Sequence, residues 1–270
     1  NQPYGRVFEA ILAQVFPPQH PYSWETIGSM EDLEAASLDD VKKWFDTYYG
    51  PNNAVIAIAG DVGAEEAFAK VEKYFGDIRP GPPLQRLKEW IPAHATERRQ
   101  VMVDRVSQAR LYMAWPGPRW GTPDAHLLDL ASAVLAGDKN SRLYQRLVYR
   151  DQIASDVEFG NLALEVSGLT YLQVSAQPGV TLGQLEAAVK EEFARFRKDG
   201  PTKAELERVR TQQRAAFVRG IEKVGGFGGK AGTLAESQTY GGSPDAWRRQ
   251  LADSAAATPA ALRDVTARWI

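Results

Sequence analysis

Three histidines, His20, His94 and His126, are the only imidazoles in the 270 residues, and there is no cysteine at all. Any metal or acid–base centre of the usual kind would have to start from them. A zinc site takes three or four His, Cys or carboxylate donors, often with two of them on one helical turn. No two of these histidines lie within a turn of each other. Asp124 and His126 are two positions apart, so on a helix they face different sides. Asp124 reads instead as an acidic first-turn residue that complements the helix dipole. His20 follows two prolines and precedes a third, which marks a loop residue. His94 falls in a proline-rich stretch and is expected to be solvated. The lack of cysteine excludes disulfides, cysteine nucleophiles, zinc ribbons and iron–sulfur clusters.

Other chemistries fare no better. No G-x-S-x-G elbow is present, and Ser37 and Ser141 stand where helix caps belong. The run GGFGGKAG (225–232) could cradle an anion with its backbone N–H groups. Lys230 is followed by Ala231 rather than Ser or Thr, however, so the order of a P-loop is missing. Glu65-Glu66 and Glu191-Glu192 are expected to be solvated charges on amphipathic helices. Trp115 and Trp120 flank a proline–glycine turn and read as packing residues. The residues alone offer no self-contained active site.

The elements that would position a site are clearer. Residues 4–16 place Val7, Ile11, Leu12, Val15 and Phe16 on one helical face, stopped by Pro17-Pro18. Ser37 opens a helix with Val41, Trp44, Phe45 and Tyr48 as its apolar stripe. Residues 54–59 (AVIAIA) have the pattern of a strand buried on both faces. Ala64 to Phe75 is helical. Prolines and glycines then gather over 76–97, and a linker is assigned to 80–97. Beyond it, 98–106 and 109–115 read as strands, and 123–135 and 141–149 as helices. Residues 155–164 and 169–177 form a hairpin pattern. Helices follow at 182–197 and 203–222. After the glycine-rich break come two more, at 244–251 and 259–269. The expected organisation is a first part over 1–79 and a second over 98–270. Strands grouped ahead of helices favour an α+β fold over a parallel α/β one.

Lys plus Arg number 32 and Asp plus Glu 34, for a net charge of −2. So balanced a chain gives no reason to expect nucleic acid or an anionic membrane as partner. No apolar run approaches the ~20 residues of a membrane-spanning helix. No secretory signal opens the chain, and Asn1 is not preceded by Met. A piece of a longer protein is therefore expected.

Three segments carry a family resemblance. HPYSWETIGSMEDLEAASLDDVKKWFDTYYGPNNAVIAIAGDV (20–62) resembles the last third of the catalytic-type domain of the insulinase, pitrilysin and processing-peptidase family of zinc metallopeptidases. NSRLYQRLVYRDQIASDVEFG (140–160) is similar to a helix of the domain that follows it, and GGFGGKAGTLAESQTYGGSPD (225–245) to a stretch of large bacterial members. The resemblance implies a mitochondrial-processing-peptidase-like α+β fold: a sheet packed with helices as a two-layer sandwich. It implies that zinc is held by H-x-x-E-H and a downstream Glu in the first domain. Those residues would precede Asn1, so no metal or catalytic residue is expected on this chain and zinc is expected in the parent. Some second domains help to hold substrate through an Arg and a Tyr, whose positions here are Val148 and Ser155. These two, with Asn140 and Arg142 of the same motif, are the substrate-chamber candidates. A peptide or unfolded polypeptide would be the substrate, and a second family half or subunit would close the chamber. A periplasmic or envelope address is implied. The alternative is a noncatalytic scaffold or partner subunit of the same family, akin to respiratory core proteins.

Overall fold

The computed structural model describes residues 3–270. Residues fall into two compact units. One comprises Asn1–Glu25, Glu89–Gln212 and Gln250–Ile270; the other comprises Thr26–Lys88 and Gln213–Arg249.

The first unit is built on an antiparallel sheet of three strands: β1 (Arg110–Gly117), β2 (Ala154–Ala163) and β3 (Gly168–Ala176), in the order β1-β3-β2. Trp115 pairs with Thr170, and Phe159 with Leu172. Side chains alternate across a strand, and the two faces divide accordingly. Leu111, Met113 and Trp115 of β1 and Leu172, Val174 and Ala176 of β3 face the main core. Ala114, Leu169 and Tyr171 face the other way, onto Leu12, Val15 and Phe16 of α1 (Val7–Val15) and the residue after it. The main core is closed by α5 (Pro123–Ala136), α6 (Leu182–Asp199) and α10 (Pro259–Trp269). Trp115, Phe159 and Phe193 of α6 meet there with ring centroids 5.3–6.3 Å apart. Helix starts follow capping chemistry. Thr122 and Thr258 each accept the N–H three residues on, and each is followed by proline. Thr181 and Gln184 form a reciprocal capping box.

The second unit includes α2 (Met30–Ala35), α3 (Leu38–Tyr48), α4 (Ala64–Phe75) and α8 (Lys230–Gly241). Asn52 clamps Gly81 from both sides, its amide donating to the Gly81 carbonyl and accepting the Gly81 N–H at 2.8 Å. A Cβ on Gly50 would lie 2.3 Å from the Gly81 nitrogen, so this close approach requires glycine. Phe217 and Trp247 stack at 5.3 Å. The long helix α7 (Lys203–Glu222) and the ten-residue α9 (Trp247–Ala256) are the remaining α-helices among the described residues.

Several expectations change. Residues 54–59 lie in no ladder, and Val55, Ile56 and Ile58 are exposed; a strand needs a neighbour, and the described residues place none beside this one. Residues 98–106 likewise run outside any ladder. The helix expected over 141–149 is π-helical over Tyr144–Arg150. The loop after His20 contains α2, capped by Ser29 on the Asp32 N–H, a short signal overlooked among aromatic and turn residues. The glycine-rich break does separate α7 from α8. Within 80–97, Trp90 donates its N–H to the Val166 carbonyl at 2.9 Å. The architecture is α+β: helices around a small antiparallel sheet.

Candidate functional site

The histidines are dispersed and engaged. His20, expected in an open loop, is fully buried. Its Nδ1 accepts the Tyr22 N–H at 3.0 Å, which leaves Nε2 to donate to the Trp90 carbonyl at 2.9 Å. Phe16 stacks on its ring at 4.5 Å, and Trp90 and Tyr22 lie at 4.7 and 5.2 Å. With both nitrogens used inside an aromatic cage, it is a packing residue. His94 reaches the Val15 carbonyl through Nε2 at 2.7 Å. His126 is buried on α5 and pairs through Nδ1 with Asp253 at 2.7 Å, a partner 127 positions away that local spacing does not reveal. Asp124 accepts from Arg268 at 2.5 Å and from the Trp269 indole at 2.8 Å. Among the described residues no three His, Cys, Asp or Glu side chains gather as metal ligands. A zinc ion therefore does not fit this donor set.

The densest charge cluster surrounds Arg142 and Arg146. Arg142 forks onto Glu205 at 2.7 and 2.8 Å, bonds the Gly200 carbonyl at 3.0 Å and lies over the Phe196 ring. Burial pushes the Glu205 carboxyl up, but the Arg142 fork and the Thr202 N–H and hydroxyl outweigh it and hold it at about 2. Arg146 pairs with Glu191 and lies 3.4 Å from Asp151 and 3.9 Å from Glu192. Arg195 reaches Glu192 at 3.4 Å. Glu192 is 2% exposed, which corrects the expectation that the Glu191-Glu192 pair is solvated. The sequence held a signal for this: Leu185, Val189, Glu192 and Phe196 share one face of α6, so Glu192 stands in the apolar stripe. Arg142, Arg146, Glu192 and Arg195 line an open cleft of about 860 Å³ with Tyr149 and Thr202. Its arginines are matched by carboxylates, which suits a structural clamp better than acid–base work.

The four chamber candidates are not brought together. Asn140 is exposed, its N–H on Asp138. Arg142 belongs to the clamp. Val148 packs against the main core. Ser155 exchanges hydrogen bonds with Gln108 on the β2 side of the sheet. A partly buried polar chain that sequence reasoning missed runs from Thr170 to Asn161 (3.2 Å) to Asp129 (3.0 Å). Asp129 keeps some exposed surface, yet its carboxyl is hemmed in, and desolvation pushes it up to about 6. A second, larger cavity of about 1470 Å³ lies beside β1.

Known proteins resemble this chain in sequence and in fold. The sequence profile of the peptidase M16 inactive domain matches residues 35–213. Zinc protease PqqE of Helicobacter pylori is 27% identical over 227 residues, covering 82% of this chain and 50% of the relative. A crystal structure of a protease from Helicobacter pylori superposes with a TM-score of 0.87 at 24% identity, covering 100% of this chain and 64% of that one. The peptidase M16 inactive domain from Pseudomonas fluorescens gives 0.82 at 20% identity, covering 97% and 61%. The chain spans about half the length of the curated relatives it matches. It belongs to the peptidase M16 inactive-domain family, the noncatalytic domain of the insulinase-like zinc metallopeptidases.

Proposed function

We propose that this chain forms part of the wall of a peptide-cutting chamber whose hydrolytic zinc is held by other residues of the parent protein. The carrying observation is the inactive-domain match over 35–213 in a chain whose histidines are all engaged elsewhere. Residues 1–79 would be the tail of the catalytic-type domain, and 98–270 the inactive domain. Val148 and Ser155 stand where some relatives carry a substrate-holding Arg and Tyr. Neither can replace those donors, so the pair would come from another half or subunit that closes the chamber. Peptides or unfolded polypeptides would be the substrate. Zinc would activate the attacking water in the parent. The periplasm or cell envelope is the proposed address, on the strength of the resemblance.

The test compares the parent with the 270-residue chain for bound zinc and for cleavage of an unfolded polypeptide. The parent is expected to bind zinc and to lose turnover to a chelator, and the shorter chain to do neither. Stoichiometric zinc or chelator-sensitive cleavage on the 270-residue chain would overturn the reading. A folded parent that binds no zinc would favour the scaffold alternative.

A further inference from the structure

We draw no further inference here: the strongest candidate, the tip of the glycine-rich loop between α7 and α8, where Phe227 stands fully exposed between Gly226 and Gly228, is an apolar surface patch, and nothing in the structure shows what covers it.

Discussion

Helices α3 and α6 are written with the same local grammar and end in opposite environments. Each opens with a reciprocal capping box, Ser37 with Asp40 and Thr181 with Gln184. Each carries an apolar stripe. In α6, Leu185, Val189, Phe193 and Phe196 are at most 2% exposed. In α3, Val41, Trp44, Phe45 and Tyr48 are 42–57% exposed. The difference is the sheet. The first unit has three strands whose inner face accepts a stripe, whereas the extended run of the second, 54–59, lies in no ladder. Ala246 is the one hydrophobic residue of that unit that counts as buried among those described. Periodicity and caps make a helix; a partner surface makes it stable.

The sharpest way to break this comparison is to truncate one side chain from each stripe. Phe193→Ala should cost about 3–5 kcal/mol in the 270-residue chain, from lost burial and the cavity left beside Trp115 and Phe159. Trp44→Ala should stay within about 0.5 kcal/mol, because its ring is already half in water. Equilibrium denaturation measures both, and equal losses would erase the distinction. Ion pairs should separate the units the same way. Arg142 and Glu205 have side chains only 17% and 24% exposed, and Arg142→Met should cost about 2–4 kcal/mol by leaving a desolvated carboxylate. Lys70 and Glu66 lie at 2.6 Å but are more than 60% exposed, so Lys70→Met should change stability by less than about 0.5 kcal/mol. Here burial, not distance, sets the value.

A third contrast depends on pH. The folded chain holds the proton on Asp129 up to about pH 6, while an unfolded aspartate releases it near 3.8. Between those values the folded state binds more protons, so stability falls as pH rises through the window. Asp129→Asn should therefore match the parent residue below pH 4 and gain about 1–2 kcal/mol above pH 6, discounted for the surface Asp129 retains. The amide oxygen can still accept from Asn161. Denaturation midpoints across pH 4–7 check this, and a gain that does not vary with pH would refute it.

Much of the first unit was legible because its signals are local. Thr122-Pro123 and Thr258-Pro259 mark helix starts, and alternating apolar residues around a short turn mark the β2–β3 hairpin. The strands at 54–59 and 98–106 failed for one reason: their patterns describe a burial that needs neighbouring strands, and no local pattern says whether those are at hand. The site was harder. No metal centre could be read from three scattered histidines. The partners that fix His20, His126 and Glu192 lie up to 127 positions away and follow only from the packed fold. Glu192 alone left a trace, as a charge inside an apolar stripe.

The smallest expected effect lies in the two capping boxes, and it sharpens the comparison most finely. Thr181→Ala removes the acceptor for the Gln184 N–H at the start of a helix whose stripe is in the core, so the whole unit should lose about 1 kcal/mol. Gln184 does not titrate, so that loss should be the same at every pH near neutrality. Ser37→Ala removes the equivalent acceptor from α3, where little else is buried, and should fray the first turn without moving the main transition. Its signature is electrostatic instead. The Ser37 hydroxyl and N–H both donate to Asp40 and hold its carboxyl below the usual value of 3.8. Because that pKa is depressed, the cap's contribution is present above the ordinary carboxylate range and lost as pH falls through the lowered value. In Ser37→Ala the Asp40 titration, followed by NMR, should move up toward 3.8 while the global denaturation midpoint stays put. A shifted midpoint would mean that α3 is as tightly coupled to a core as α6.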